Sequence, residues 1–193
     1  MPIYLVSLWA WYKIVMSWFN LQEYALPDRI RRRLSDHSVL HLWTKEKSFK
    51  RYSSSLVGEI IGRLSKLPQG SRRAEMENIV DEIMKWRQIE LEKNIALIGV
   101  LGSMAPLSGA LGTVTGMITT FRVIGAYGTS NPALMADSIS EALQTTQNGL
   151  IVAFPIMIIH MFLYNKMRKI EDTAMEIAES YIVYHSNPSR SIP

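Results

Sequence analysis

The chain has 193 residues, of which 48% are hydrophobic and 20% are charged, and its formal net charge is +4. This length suggests one domain with a modest core. The absence of cysteine excludes disulfides and cysteine-ligated zinc or iron–sulfur sites, and it leaves the redox compartment undetermined. The positive charge comes without zinc-finger spacing or a motif of stacking aromatic residues, so we expect no nucleic-acid partner.

The first predicted element is a membrane span at residues 1–21. The segment is apolar but short, contains Lys13, and carries aromatic side chains of the kind found at membrane–water boundaries. A secretory signal peptide would begin with basic residues, whereas none precedes Lys13. We therefore expect a retained span rather than a cleaved signal. The apolar stretch begins at Met1, and the sequence leaves open whether the span is complete.

Two later segments contain no charged residue at all, residues 94–121 and residues 142–165. About 20 predominantly apolar residues suffice to cross a bilayer. We therefore place a second span at residues 94–124 and a third at residues 138–165. The link between them, residues 125–137, holds glycines and a proline that are typical of a turn, so we expect the two helices to pack as an antiparallel hairpin.

The distribution of Lys and Arg predicts the orientation in the membrane. Fifteen of the 21 lie in residues 22–93 and four lie in residues 166–193, whereas residues 123–140 have none. Because positive residues stay in the cytoplasm, we expect the N-terminus and the link in the periplasm and the two basic segments in the cytoplasm. The arginine-rich segment 29–33 is expected to contact anionic lipid headgroups.

Both basic segments show apolar residues at helical spacing. Residues 71–93 contain no proline or glycine, so we expect one helix to continue from Ser71 through the second span to Gly125. In the tail, one apolar stripe opposes a charged face, on which we place Glu171. The predicted fold class is an all-α integral membrane protein with three transmembrane helices, whose long helices extend into a cytoplasmic helical stalk.

Small residues form a stripe along the second span. Gly102, Gly109 and Gly116 repeat every seven residues with Pro106 beside them, and Gly112 forms a G-x-x-x-G motif with Gly116. Small residues let helix backbones approach closely, which is how membrane helices associate. We therefore predict tight helix packing along this stripe.

The third span is polar in its first half, from Glu141 to Asn148, and Thr146 shares a stripe there with the small residue Gly149. Polar residues within a span face protein or a water-filled path rather than lipid. A structural alternative is that the threonines only bond to their own helix or to the neighbouring one. Across the two charge-free runs the sole candidate proton carrier is His160, so a proton relay would need a partner helix that brings a carboxylate.

Two motifs resemble those of a known family. Residues 105–117, APLSGALGTVTGM, resemble the signature of the second span in ExbB and TolQ proteins. Residues 139–150, ISEALQTTQNGL, resemble the signature of the third span, and Pro155 falls where that family has a proline. The resemblance covers residues 71–181. The two motifs resemble those of the MotA/TolQ/ExbB proton channel family, and within this family they favour the ExbB-type proteins of the TonB system over TolQ.

The resemblance implies a homo-oligomeric ring of five subunits in the bacterial inner membrane. The ring would surround an ExbD-like single-span partner that bears an intramembrane Asp. Thr113 and Thr146 would line the pore, Glu141 would match the family's glutamate on the proton pathway, and Gly149 and Pro155 would serve helix packing. The implied function is a motor driven by the proton motive force, which acts through a TonB-like protein on outer-membrane transport.

Alternative functions stay open. The chain could be a TolQ-like or MotA-like stator that drives envelope or motility work, or a non-conducting membrane scaffold in which the threonines only hold helices together. Sodium could replace protons as the driving ion. An enzyme is not expected, because the sequence shows no nucleophile–base set, metal cluster or phosphate loop, and we expect no cofactor and no metal.

Overall fold

The computed structural model describes residues 2–25, 55–68, 72–128 and 132–186. These residues form four helices: α1 (Pro2–Tyr24), α2 (Leu56–Leu64), α3 (Arg73–Tyr127) and α4 (Pro132–Ser186). No strand occurs among them, which confirms the predicted all-α fold. The arginine-rich segment 29–33 lies outside the described residues.

Two of these helices are long and apolar enough to cross a membrane, α3 and the Met135–Ser186 part of α4. They contain the predicted second and third spans, residues 94–124 and 138–165. The helix α1 also forms where the first span is predicted. Its tryptophans, its tyrosines and Lys13 lower its mean hydropathy, so α1 is not among the helices that are apolar enough to cross a membrane. Two membrane-capable helices are therefore confirmed, and a third crossing by α1 stays a prediction.

The two long helices run further than the predicted spans. α3 is one uninterrupted helix of 55 residues, as the lack of helix breakers in residues 71–93 predicts. α4 also has 55 residues and begins at Pro132, because proline is favoured in the first turn of a helix. After α3, Gly128 adopts a φ of 67°, in the left-handed region that favours glycine, and its amide donates to the carbonyl of Ile124 at 2.8 Å. The link predicted at residues 125–137 is thus largely helical.

Each long helix contains one proline, Pro106 in α3 and Pro155 in α4. A proline has no amide hydrogen, so the carbonyl four residues earlier loses its helical donor. Membrane helices tolerate this because neighbouring helices and hydroxyl side chains satisfy the freed groups. Both helices continue through their prolines without a break.

The chain divides into two compact units. The first comprises Met1–Ser17 and Asn94–Leu163, and the second comprises Trp18–Lys93 and Tyr164–Pro193. The second unit has an aliphatic core to which α2, α3 and α4 contribute, and this core confirms the apolar stripes predicted in the basic segments. Its buried members are Leu56, Val57, Ile60, Ile61, Leu64, Met76, Val80, Ile83, Ala174, Ile177, Ala178, Tyr181 and Ile182.

Glu171 does not lie on the charged face where we placed it. Its side chain is buried, with only 8% of the residue exposed. It follows Met167 by four residues and precedes Ala174 by three, and both of these residues are fully buried. This is the spacing of the apolar stripe itself. The prediction was wrong because it gave the charge of the residue more weight than its helical position.

Arg87 of α3 connects three helices of the second unit. Its guanidinium pairs with Glu59 of α2 at 2.7 Å and donates to the hydroxyl of Tyr24, at the end of α1, at 3.2 Å. It also contacts Glu90, one turn further along α3, at 2.9 Å. Because the Arg87 side chain is only 24% exposed, these charge-assisted contacts are partly shielded from water and hold the helices more firmly than a surface pair would.

In the first unit, α3 and α4 approach each other most closely at glycines. A Cβ atom on Gly149 would lie 2.7 Å from the carbonyl oxygen of Ala105, and one on Gly109 would lie 3.0 Å from the Cα of Thr146. The first distance is too short for a Cβ atom and the second is tighter than most Cβ contacts, so the two backbones are in direct contact. Three further glycines of the predicted stripe also face α4: Gly102 against Met157, Gly112 against Thr145 and Gly116 against Ala142.

Gly109→Ala is expected to destabilise the α3–α4 hairpin. The added methyl group would lie 3.0 Å from the Cα of Thr146 and 3.1 Å from the carbonyl oxygen of Thr145, so the backbone of α4 would have to shift away from α3. Overpacking of this kind costs about 1–3 kcal/mol. Thermal unfolding of the purified protein in detergent measures the loss. Gly125→Ala is the matched control, since nothing lies within 4 Å of its Cβ position. Equal unfolding temperatures for the two variants would contradict this account of the hairpin.

Candidate functional site

The candidate site lies in the first half of α4, where polar residues face α3. The hydroxyl of Thr146 donates to the carbonyl oxygen of Gly109 at 3.0 Å, across the hairpin. The hydroxyl of Thr145 donates to the carbonyl of Ala142 in its own helix at 2.7 Å and also approaches Gly109, at 3.5 Å. Both threonines are partly buried. Each hydroxyl hydrogen is therefore used in a hydrogen bond within the hairpin, as expected if the threonines only hold helices together.

Thr113 occupies a different position from Thr146. Its hydroxyl donates to the carbonyl of Ala110 in the preceding turn of α3 at 2.7 Å, and its side chain is half-buried. A hydroxyl that donates its hydrogen still has lone pairs that accept one. Thr113 and Thr146 can thus accept a hydrogen bond from a protonated carboxyl group. To donate to an ionised carboxylate, either side chain must first rotate away from its present acceptor.

Glu141 lies on the exposed surface of α4, near the start of the helix. The sequence left open a pair with Arg122 across the hairpin. No ion pair between these two side chains occurs in the described part of the chain, where the salt bridges all involve Arg73 or Arg87. The carboxylate of Glu141 is thus not neutralised by Arg122 within this chain.

The helix α4 has a second polar face, which the sequence analysis did not separate from the face that carries the threonines. An open groove of about 620 Å³ runs along the helix and contains both amides, Gln144 and Gln147, which are exposed. Its lining residues are Ala136, Ile139, Ser140, Leu143, Gln144 and Gln147. The positions 140, 144 and 147 share one helical face, and this spacing is the signal that could have separated the amides from the threonines.

His160, the titratable group in the charge-free runs, packs against α3 at Gly99. A Cβ atom on Gly99 would lie 2.9 Å from the Nε2 atom of the imidazole, so the ring occupies the space that the glycine leaves. Among the described residues, no group of three or more His, Asp or Glu side chains could hold a metal ion. The described residues of the site therefore offer hydroxyl and amide groups, the imidazole of His160 and the single carboxylate of Glu141.

Comparison with known proteins agrees with these features. Residues 51–176, more than half of the chain, match the model of the MotA/TolQ/ExbB proton channel family. The chain is 41% identical to the biopolymer transport protein ExbB of Aquifex aeolicus over 80 residues, which is 42% of this chain and 54% of that protein. It is 28% identical to ExbB of Salmonella typhimurium over 150 residues, which is 72% of this chain and 59% of that protein.

A putative biopolymer transport protein, ExbB-like 2 of Helicobacter pylori, is 39% identical over 90 residues, 45% of this chain and 59% of that protein. The chain thus spans between half and three fifths of the length of these relatives. The matched region includes α2, α3 and α4 as far as residue 176, and with them the hairpin and its polar residues. The chain therefore belongs to the MotA/TolQ/ExbB proton channel family and is close to its ExbB members.

Proposed function

We propose that this chain is the channel-forming subunit of an inner-membrane motor driven by the proton motive force. In this proposal a ring of copies, five by resemblance, surrounds the span of an ExbD-like partner that carries an intramembrane Asp. The motor energises outer-membrane transport through a TonB-like protein. The observation that carries the proposal is a polar α4 that has hydroxyl and amide groups but no carboxylate in the middle of the span.

A proton relay needs an ionisable group at mid-membrane. In residues 94–124 and 138–165 the only charged side chains are Arg122 and Glu141, and both lie toward the ends that face the link. The middle of both spans therefore offers polar groups that can surround a carboxylate without supplying one. A partner helix that brings a single Asp would complete the relay.

The proposed topology has a periplasmic N-terminus, with residues 22–93 and 166–193 in the cytoplasm. It is supported by the Lys and Arg residues, of which 19 of the 21 fall in these two segments. On this topology Glu141 lies at the periplasmic end of α4, where protons would enter. The basic segments would also contact anionic lipid headgroups.

A non-conducting scaffold is the second candidate function. The observation that favours it is the hydrogen bond from Thr146 to Gly109, which shows that a predicted pore-lining hydroxyl serves helix packing in the single chain. The two functions differ in one measurable property. A channel subunit conducts protons when its partner is present, whereas a scaffold does not.

Proton flux into liposomes, followed with a pH-sensitive dye, is therefore the direct test. We expect little flux through this protein alone, because its spans contain no mid-membrane carboxylate. Flux is expected when the protein is reconstituted together with its ExbD-like partner. Robust flux through the protein alone would contradict the role given to the partner. No flux with the partner present would favour the scaffold.

Thr146→Val is expected to abolish energy-dependent uptake of an iron–siderophore complex while the protein still assembles. Valine keeps the shape of threonine but removes the hydroxyl that would accept from the partner carboxyl group. The lost hydrogen bond to Gly109 contributes only about 0.6 kcal/mol in a membrane helix, too little to unfold the hairpin. Thr120→Val is the control, since Thr120 is buried and its hydroxyl donates to the carbonyl of Gly116 in its own helix. Normal uptake by Thr146→Val would remove the assignment of Thr146 to the pore.

Glu141→Gln is expected to reduce the same uptake because it keeps the shape of the side chain and removes its charge. On the proposed topology, that charge holds water or a proton at the periplasmic mouth of the pore. Asp137→Asn is the matched control, one turn earlier on the exposed surface of α4. Equal uptake by the two variants and the unchanged protein would show that Glu141 has no part in the proton path.

A further inference from the structure

Glu171 is a carboxyl group in an unusual position within the second unit. It occupies the buried stripe of α4, with 8% of the residue exposed. Its Oε1 atom is buried and has no hydrogen-bond partner among the described residues. An ionised carboxylate placed in this way loses part of its hydration, and its buried oxygen gains no hydrogen bond among the described residues in return. The neutral acid loses much less, so the position favours the protonated form.

The charged groups that act on Glu171 do not neutralise it. Glu92 of α3 and Asp172 of α4 both repel a negative charge there, and Arg168 is the only one of the three that attracts it. The guanidinium of Arg168 is exposed and donates to the hydroxyl of Tyr164 at 2.9 and 3.2 Å. The ammonium group of Lys166, which belongs to the same turn, lies 4.2 Å from the centre of the Trp18 ring of α1.

Glu92 is itself held in place. It is half-buried, and its Oε1 atom accepts a hydrogen bond from the amide of Gln88 at 3.0 Å. Burial and the charge of Glu92 both raise the pKa of Glu171, and Arg168 offsets them only in part. The charge of Glu92 thus adds to burial in favouring the protonated form of Glu171.

We propose that Glu171, buried in the apolar stripe of α4 and repelled by the charge of Glu92 on α3, is a proton-binding group that keeps its proton to higher pH than an exposed carboxyl group does. Both residues lie just beyond the spans at the same end of the hairpin, Glu92 two residues before residue 94 and Glu171 six residues after residue 165. Six residues of helix correspond to about 9 Å. On the proposed topology this end faces the cytoplasm, and the site would exchange protons between the channel and the cytoplasm. That transport role rests on the proposed function, whereas the binding of the proton does not.

The pH dependence of unfolding tests the proton itself. A carboxyl group whose pKa is higher in the folded protein than in the unfolded chain makes stability fall as the pH rises between the two pKa values. Glutamine imitates the protonated acid. The unfolding temperature of Glu171→Gln in detergent should therefore match that of the unchanged protein near about pH 4 and exceed it by about 2–4 °C near about pH 8. Glu176→Gln, an exposed carboxylate on the same helix, is the control and should leave the pH profile unchanged.

Two results would overturn the site. Glu171→Gln would do so if it unfolded at lower temperature at every pH, or if it kept the pH profile of the unchanged protein. Glu92→Gln tests the pair, because it removes the repulsion that raises the pKa of Glu171. In Glu92→Gln the unfolding temperature should therefore fall less as the pH rises, and this fall should end at a lower pH. An unaltered fall in Glu92→Gln would exclude Glu92 from the site.

Proton flux through the complex with its ExbD-like partner tests the transport role. Glu171→Gln is expected to reduce the flux several-fold, and Glu176→Gln is expected to leave it unchanged. Normal flux in Glu171→Gln would overturn the transport role even if the unfolding profiles show the bound proton. If the unchanged complex conducts no protons, the proposed function fails, and the unfolding profiles still decide whether the site binds a proton.

Discussion

Direct backbone contact between α3 and α4 is the constraint on which the arrangement of the polar residues depends. Gly109 and Gly149 have no side chain, and the facing backbones fill the space that a Cβ atom would need. Because lipid removes the hydrophobic drive between membrane helices, such close contact is what holds a hairpin together. The same contact brings Thr146 within hydrogen-bond distance of the Gly109 carbonyl. Gly109 therefore serves both the close packing of the two helices and the hydrogen bond of Thr146.

The polar residues of α4 fall into two groups, those that face α3 and those that face away from it. Thr145 and Thr146 face α3 and bond to carbonyl groups within the hairpin, whereas Gln144 and Gln147 face an open groove. Exposed amides would be poorly accommodated by lipid, so the groove side is suited to another protein helix or to water. The ion path of the proposed ring thus has two candidate walls on this helix, one of hydroxyl groups and one of amides.

The second unit is stabilised in a different way from the hairpin. Its core is aliphatic and large, and Arg87 of α3 joins α2 through a partly buried ion pair and α1 through a hydrogen bond. Within a core of this kind a carboxyl group is unfavourable unless it is protonated or paired. Among the described residues, Glu171 has no ion-pair partner and its buried Oε1 atom accepts no hydrogen bond, and in this it differs from the exposed carboxylates of the same helix.

The sequence by itself determined the helices, the apolar stripes and the family. Charge-free runs and helical spacing are local properties, since a charge is excluded from a bilayer and a side chain points according to its position in the helix. Only the tertiary structure decided two further features: the hydrogen bond of Thr146 to Gly109 across the hairpin and the burial of Glu171. The acceptor of a hydroxyl and the burial of a side chain depend on which atoms another helix brings near, and these contacts join residues far apart in the sequence.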